Sequence, residues 1–294
     1  MANLTDLIKK NKEATEILEL LGKLGEKSGM DIYVVGGYVR DLFLGRPVKE
    51  FDLMVTGDGI KMANLIAKKL GINKVVTFEK FDTAHIPSNP YPIEVTGGRT
   101  EAYEKDSRNP HKIEPADIQT DLRRRDFTVN AMAINLMPTN FGELIDPFQG
   151  IVDLQSKRLV TPLSPDETFS DDPLRMMRAA YFSSELNFEL DDKCLKAMAK
   201  QSERISIVSQ ERITTELMKV LASPIPSIGL RILQSAGLLK FVFPEIDIMV
   251  GLEQTSKWHH KDIYTHTLQV VDNAAALSEK PELRFAALVH DIAK

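Results

Sequence analysis

The stretch VVGGYVRDLFLGRPVKEFDLMV, residues 34–55, decides the fold at the start of the chain. An apolar strand runs into Gly36 and Gly37, a helix carrying Arg40 follows, and a second apolar strand returns with acids at Glu50 and Asp52. Because the glycines lack Cβ atoms, backbone N–H groups can approach a triphosphate where the helix begins. Arg40 is predicted to reach the same phosphates from the first turn of that helix.

The two acids predict a metal site beside this turn. Residues two apart on a strand point to the same face, so Glu50 and Asp52 present paired carboxylates while Phe51 packs into the core. Two adjacent like charges are costly unless a cation lies between them. Hard oxygen ligands suit Mg²⁺, and paired acids can hold two ions about 3.5–4 Å apart for phosphoryl transfer. Glu50 and Asp52 are therefore predicted to be both catalytic and metal-binding.

Composition sets limits on class and location. The 294 residues carry a formal net charge of −5, which argues against indiscriminate coating of nucleic acid but leaves room for a local basic strip. The single cysteine, Cys194, excludes an internal disulfide and a cysteine-rich zinc module, and is read as a packed thiol. No apolar run is long enough for a membrane span and the N-terminus lacks a signal-peptide core, so we expect no membrane association and a cytoplasmic location.

The order of patterns along the chain predicts an α+β protein, with a mixed-sheet head followed by an all-helical neck and body. Strand and helix patterns alternate up to about residue 135, and amphipathic helices dominate beyond about residue 145. Residues 100–126 are charged and weakly periodic, and are predicted to form a mobile loop. The predicted parts are an N-terminal docking helix (1–29), a catalytic head (30–140), a helical neck with a base-reading helix (141–222) and a helical body (223–294).

The segment DDPLRMMR at 171–178 offers a way to choose a base without a template. Asp172, Arg175 and Arg178 recur every three residues and would line one side of a helix. A carboxylate only accepts hydrogen bonds and a guanidinium only donates them, so Asp172 can accept from an exocyclic amine while Arg175 donates to the neighbouring ring nitrogen. Cytosine and adenine present that order, and guanine and uracil do not. The pair therefore predicts acceptance of CTP and ATP.

These motifs resemble the family of class II tRNA nucleotidyltransferases (CCA-adding enzymes) and bacterial poly(A) polymerases, within the polymerase-β-like nucleotidyltransferase superfamily. The resemblance is carried by five ordered blocks over roughly residues 30–220: GGYVRDLFLG with EFDLMV, RRDFTVNAMAI, LIDPFQG, DDPLRMMRAAYF and ERITTEL. It implies that Arg124 and Arg125 clamp the triphosphate with Asp126 orienting them, and that Arg178 lies in the nucleotide pocket. It also implies that Asp172 and Arg175 read the base, and that the loop at about 100–120 moves between CTP and ATP.

The chain departs from the family pattern at two positions. Glu50 stands where an aspartate is usual, which keeps the charge and lengthens the side chain by one methylene. Tyr181 stands where another arginine is frequent, so the side chain at this position offers an aromatic ring in place of a guanidinium group. The superfamily's third carboxylate has Glu94 as its candidate.

A second signature lies near the end of the sequence. YTHTLQVV and ALVHDIAK resemble the opening of an HD metal-dependent phosphohydrolase domain, with His266, His290 and Asp291 as the first ligands. Because the sequence stops at Lys294, before the rest of that fold, the expectation is a truncated or vestigial module without hydrolase activity and with weakened tRNA binding. Two histidines making ordinary hydrogen bonds are the alternative.

The leading hypothesis is a Mg²⁺-dependent, template-independent transfer of C and A nucleotides from CTP and ATP to the 3′ end of tRNA, with release of pyrophosphate. Addition of the terminal A only, addition of the two Cs only, and poly(A) synthesis share this chemistry; the loop weighs against the CC-only case. An inactive RNA- or nucleotide-binding protein is the alternative of another class. The oligomeric state is left open.

Overall fold

The computed structural model describes residues 2–102, 112–256 and 259–293, and confirms the predicted α+β class. The chain forms two compact units, one from residues 2–102 and 112–154 and the other from residue 155 onward. The predicted four-part division stays a prediction.

The first unit is built on a seven-stranded mixed sheet with the strand order β3-β4-β5-β2-β1-β8-β9. The central pair β2–β5 is parallel and its other neighbours pair antiparallel. The strands are β1 (Ile32–Val35), β2 (Phe51–Val55), β3 (Val76–Phe78), β4 (Thr83–Ile86), β5 (Ile93–Gly97), β6 (Arg99–Ala102), β7 (Lys112–Pro115), β8 (Ala133–Asn135) and β9 (Leu144–Ile145). The helices are α1 (Thr5–Ile8), α2 (Lys12–Ser28), α3 (Gly37–Leu44), α4 (Gly59–Leu70), α5 (Ile118–Arg123) and α6 (Gly150–Gln155), with 3₁₀ turns at Glu79–Phe81 and Thr128–Asn130.

The two faces of this sheet have different roles because side chains alternate along each strand. Phe51, Leu53 and Val55 of β2 belong to the large core, which also contains buried residues of α2 and α4. Met54 of β2 lies on the opposite face, in a smaller cluster with residues of α5. The predicted inward packing of Phe51 is confirmed, and its ring is fully buried.

The predicted N-terminal helix is present and its ends follow from local chemistry. The Asn11 side chain accepts a hydrogen bond from the Ala14 N–H at the start of α2, and Gly29 ends the helix with φ 68°. This confirms the stop predicted at Gly29. The apolar side of α2 packs into the large core.

The predicted mobile loop at 100–126 is wrong for its described flanks. Strands β6 and β7 pair antiparallel from Arg99↔Pro115 to Ala102↔Lys112, and α5 follows directly. Both strands lie outside the main sheet, so the stretch is charged and has no alternation of apolar residues that would predict a strand. Residues 103–111 of the predicted loop lie outside the described residues.

The second unit is mainly helical, as predicted. Helix α8 packs against α10 and α11. The helices are α7 (Pro165–Asp171), α8 (Leu174–Leu186), α9 (Asp192–Gln201), α10 (Gln210–Ala222), α11 (Pro226–Ser235), α12 (Leu239–Val242), α13 (Pro244–Asp247), α14 (Ile263–Leu277) and α15 (Pro281–Val289), with a 3₁₀ turn at Ser202–Ile207. Short strands pair as β10 (Arg158–Leu159) with β11 (Glu189–Leu190), and β12 (Glu253–Ser256) with β13 (His259–Asp262).

Two side chains of the second unit bury a reactive or charged group. Cys194 is buried in α9, and its burial raises the pKa of the thiol to about 11, which confirms the packed-thiol interpretation. Arg284 of α15 is 4% exposed and donates to the carbonyl oxygens of Leu221 and Ser223 at the end of α10. In the described parts of the chain, no helix is long and apolar enough to cross a membrane.

Candidate active site

The glycine turn, an arginine and an acid meet at the end of β1. Gly36 has φ 68° and ψ −124°, a conformation that side chains with a Cβ rarely adopt, and α3 begins at Gly37. A Cβ added at Gly36 would lie 3.1 Å from Nη1 of Arg125 and 3.8 Å from Oδ2 of Asp52. The structure thus brings together one predicted phosphate-binding turn, one predicted clamp and one predicted metal ligand.

Carboxylates share the sheet face that looks away from the large core. Asp52 and Glu94 are register partners on the parallel strands β2 and β5, and Glu94 is the partner of His85 on β4. Glu50 directly precedes β2 and is exposed. The Glu94 side chain is also exposed. Burial of its carboxyl group and then the charge of Glu50 raise the pKa of Glu94. The charges of His85, Arg99 and Arg125 offset part of this rise. Glu50 and Glu94 are therefore close enough for their charges to repel, and the hard oxygen atoms of the three acids suit a divalent cation.

Asp121 holds the two predicted clamp residues, and sequence reasoning missed it. Its side chain is 1% exposed; Oδ1 accepts from Nε and Nη2 of Arg124 at 3.1 and 2.6 Å, and Oδ2 accepts from Nε and Nη2 of Arg125 at 3.3 and 3.0 Å. Burial alone would raise the pKa of Asp121, but the two guanidinium groups hold it below its usual value. The spacing of Asp121 to the arginines, three and four residues along a helix, was the available signal.

Arg40 lies beneath the turn in a chain of hydrogen bonds. It is 8% exposed, its Nε and Nη2 donate to Asp41 at 3.0 and 2.9 Å, and its Nη1 donates to Oδ1 of Asn130 at 2.6 Å. Asn130 in turn donates to Oδ1 of Asp126 at 3.1 Å, and the same atom accepts from the Phe127 N–H at 2.8 Å. A Cβ at Gly37 would lie 3.7 Å from Nη2 of Arg40. These contacts fix Arg40 next to the start of α3; its predicted phosphate contact and the predicted orienting role of Asp126 stay predictions.

The predicted base-reading residues lie in the second unit, and one of them is not on a helix. Asp172 is extended, with φ −139° and ψ 102°, because the residue before a proline is disfavoured in helical conformation. The helix-face argument is therefore wrong for Asp172, whose Oδ1 instead accepts from the Leu174 N–H at 3.1 Å at the start of α8. Arg175 is 8% exposed and its Nη1 donates to the Thr168 carbonyl oxygen at 3.2 Å.

Arg178 and Tyr181 lie further along α8. The guanidinium of Arg178 lies 5.1 Å from the ring centroid of Phe182. The ring of Tyr181 lies 4.9 Å from the ring of Phe182 and 5.9 Å from the Lys219 ammonium group. Tyr181 thus fills the position of the missing arginine with an aromatic contact to a cation from α10. The base-reading roles stay predictions.

The second signature also comes together in space. One ligand atom from each of His266, His290 and Asp291 lies within 4.8 Å of the others, and Nε2 of His290 is 3.4 Å from Oδ2 of Asp291. Nδ1 of His290 lies 2.8 Å from the Ala287 carbonyl oxygen. The cluster has the donor types of a metal site, as the resemblance implied, and its use stays a prediction.

Comparisons with known proteins agree with this geometry. Residues 32–160 match the family described as poly A polymerase head domain, and residues 187–249 match the one described as the probable RNA and SrmB-binding site of polymerase A. The chain is 36% identical to a multifunctional CCA protein from Nitrosococcus oceani over 277 residues, which cover 90% of this chain and 63% of the relative. The chain thus spans less than two thirds of the length of the curated relatives it matches.

The chain is also similar to solved structures of CCA-adding enzymes and of a tRNA nucleotidyltransferase. An apo CCA-adding enzyme is similar with a TM-score of 0.74 and 25% identity, covering 97% of this chain and 82% of the other. A tRNA nucleotidyltransferase complexed with a primer tRNA and an incoming ATP analogue is similar with a TM-score of 0.69 and 28% identity, covering 92% of this chain and 75% of the other. The shared head domain, the similarity along nearly the whole chain and the glycine turn beside Asp52 agree: residues 32–160 belong to the poly A polymerase head-domain family, and the chain is similar along nearly its whole length to CCA-adding enzymes.

Proposed function

We propose that this protein adds C and A nucleotides to the 3′ end of tRNA, using CTP and ATP and releasing pyrophosphate. The observation that carries the proposal is the meeting of Gly36, Arg125 and Asp52 at one end of the central strands, with Glu94 in register with Asp52. The relatives named multifunctional CCA protein and the similar structure with primer tRNA and an ATP analogue support the same substrates.

The protein's own groups divide the reaction between them. The 3′-hydroxyl oxygen attacks the α-phosphorus, a new P–O bond forms, and the bond to the bridging oxygen of the β-phosphate breaks, so pyrophosphate leaves. The Gly36 N–H donates to the Met132 carbonyl oxygen, so the N–H at Gly37, with Arg124 and Arg125, binds the negative triphosphate and orients it. Glu94, which is in register with Asp52, would take the hydroxyl proton.

The family generally uses a divalent metal ion, and the residues present fit one. Asp52 and Glu94 supply hard oxygen ligands on one face of the sheet and Glu50 directly precedes the same strand; burial and then the charge of Glu50 raise the pKa of Glu94. We propose Mg²⁺, because carboxylate oxygens together with substrate phosphates are its usual ligands. When bound, the ion would neutralise charge on the attacking and leaving oxygens.

The choice of base is assigned to the second unit. Asp172 would accept a hydrogen bond from the exocyclic amine of cytosine or adenine, and Arg175 would donate to the neighbouring ring nitrogen. Guanine and uracil present an oxygen where the amine should be, which leaves buried acceptors unpaired at a cost of about 1–3 kcal/mol. Arg178 would contact the bound nucleotide from α8, the helix that also carries Arg175.

The decisive experiment is incubation with tRNA that lacks its 3′ CCA, with each nucleotide alone and with all together, followed by sequencing of the product ends. We expect incorporation of C with CTP alone and completion with A when ATP is added. Equal incorporation of UTP and CTP would contradict base reading by Asp172 and Arg175. Growth of long A tracts would assign the chain to poly(A) synthesis instead.

Asp52→Ala separates an enzyme from a binding protein. We expect turnover to fall more than about 100-fold while RNA affinity is retained, because a carboxylate beside the triphosphate turn is lost and the fold keeps Phe51 in its core. Asp6→Ala, which removes an exposed acid of α1, is the charge-matched control. If the Asp52 variant retains full turnover, the proposed catalytic face is incorrect.

A further inference from the structure

Among the described residues, one edge of the seven-stranded sheet exposes an aromatic side chain. Strand β3 is the outermost strand, and Val76 and Phe78 are 39% and 52% exposed. An exposed large aromatic residue on an edge strand indicates a contact surface, because such strands normally carry short, charged or covered side chains.

The strand register places this edge on the same face as the carboxylates. Phe78 is the partner of Thr83 on β4, Thr83 is the partner of Thr96 on β5, and Thr96 is the partner of Met54 on β2. Cross-strand partners point to the same face, so Phe78 shares the face of Met54 and hence of Asp52. With a spacing of about 4.8 Å between strands, the edge lies about 14 Å from β2.

Cations lie at the turn that follows the edge strand. The Arg99 guanidinium lies 5.4 Å and the Lys80 ammonium 5.5 Å from the ring centroid of Phe81, in the 3₁₀ turn that joins β3 to β4. Nη1 of Arg99 donates to Oγ1 of Thr83 at 3.3 Å. The charge of Arg99 also acts on Glu94, so this cation is close enough to the carboxylates to interact with them. We call the surface formed by Phe78, Lys80, Phe81 and Arg99 the strip. It combines aromatic rings with basic groups, which is the combination that binds single-stranded nucleic acid.

We propose that the single-stranded 3′ end of the acceptor RNA lies along this strip, with one base stacked on Phe78 and its phosphates near Arg99 and Lys80. The proposal rests on the proposed function and names the surface that receives its acceptor strand. Stacking suits this reaction because the upstream base changes after each addition, and every base offers a π face. The short β3 strand, flanked by Lys74 and Lys80, is poorly suited to pairing with another protein strand.

A binding measurement tests the surface without any turnover. An RNA hairpin with a single-stranded 3′ extension carries 2-aminopurine at one extension position at a time, and its fluorescence is titrated with protein in the absence of nucleotide. We expect quenching at one position with the natural protein, loss of that quenching with Phe78→Leu, and its return with Phe78→Trp. Leu65→Ala is the matched control, because Leu65 is 36% exposed on α4, which covers the opposite face of the sheet.

Kinetics give a second readout. We expect Phe78→Ala to raise the KM for RNA about tenfold, the size of one lost base–aromatic stack, while the KM for CTP stays within about twofold.

Unchanged quenching and unchanged KM in the Phe78 variants, with an active natural protein, would overturn the inference and leave the proposed function standing. Phe78-dependent quenching by a natural protein that adds no nucleotide would support the inference and refute the proposed function. A change of oligomeric state in Phe78→Leu with unaltered RNA binding would make the strip a protein interface and overturn the inference.

Discussion

Replacing Asp121 by Asn tests whether one buried carboxylate positions both arginines of the triphosphate site. The change keeps the size of the side chain and removes its charge. In the natural protein the two carboxylate oxygens accept four N–H groups from Arg124 and Arg125 at 2.6–3.3 Å. In the variant the new NH₂ group faces guanidinium donors, so at least one guanidinium group loses its hydrogen-bond acceptor.

The magnitude follows from the burial of the three groups. Removing one partner of a fully buried ion pair costs about 3–5 kcal/mol. The Arg124 and Arg125 side chains are each 22% exposed, so water can solvate them in part, and we expect a loss of about 2–3 kcal/mol in the free energy of unfolding. For a unit of this size, the loss lowers the melting temperature by about 5–10 °C. We also expect CTP to bind about tenfold or more weakly, because the clamp next to Gly36 is no longer fixed.

The assay pairs calorimetric unfolding with titration of CTP in the absence of RNA, at a temperature where the variant stays folded. Asp117→Asn is the matched control: it removes the same charge from the exposed start of the same helix, and asparagine retains the cap on the Thr120 N–H. An Asp121→Asn protein with the natural CTP affinity would refute the reasoning, even if its stability fell, because a purely structural role predicts only the loss of stability.

Three other perturbations probe the turn, the acids and the second unit. Gly36→Ala should lower the free energy of unfolding by at least about 1–2 kcal/mol and raise the KM for nucleotide, measured by urea unfolding and kinetics, because φ is 68° and the new Cβ meets Nη1 of Arg125 at 3.1 Å. Glu94 has a raised pKa in the folded protein, so without metal its contribution to stability is present below its ordinary pKa of 4.5 and is lost as the pH rises through the raised value. Glu94→Gln should therefore gain stability over the natural protein as the pH rises, in unfolding curves recorded with EDTA, and added Mg²⁺ should stabilise the natural protein more than the variant. Arg284→Met leaves two buried carbonyl oxygens of α10 without their donor and should destabilise the second unit by about 2–4 kcal/mol without changing CTP affinity.

The central strands and their turn could be predicted from sequence because several local signals coincide there. An apolar run, a glycine pair and an acid two residues into the next strand each restrict the backbone, and all three agree on one geometry at Gly36. The opposite orientations of Phe51 and Asp52 follow from the strand period alone. Glu94 could be named only as a candidate, since the parallel register that pairs it with Asp52 is set by long-range contacts.

The two wrong sequence-based predictions, at Asp172 and at the β6–β7 hairpin, also have physical causes. Asp172 was assigned to a helix because its spacing to Arg175 is helical, yet the Pro173 ring forces the preceding residue into an extended conformation. The hairpin of β6 and β7 was missed because its ladder stands apart from the main sheet and has no apolar alternation to reveal it. At Asp172 a neighbouring residue outweighed the periodic pattern, and at the hairpin there was no periodic pattern to detect.

The two kinds of charge in the candidate site are held by different parts of the structure, and this separates binding from chemistry. The acids stand on β2 and β5, the parallel pair in the middle of the sheet, so their spacing is fixed by strand register. Both arginines are bound by the buried carboxylate of Asp121 on the short helix α5. Substitutions that loosen α5 should therefore weaken nucleotide affinity while the carboxylates keep their geometry. Substitutions of the strand acids should abolish transfer while the triphosphate still binds, so the two defects should not compensate each other in a double variant.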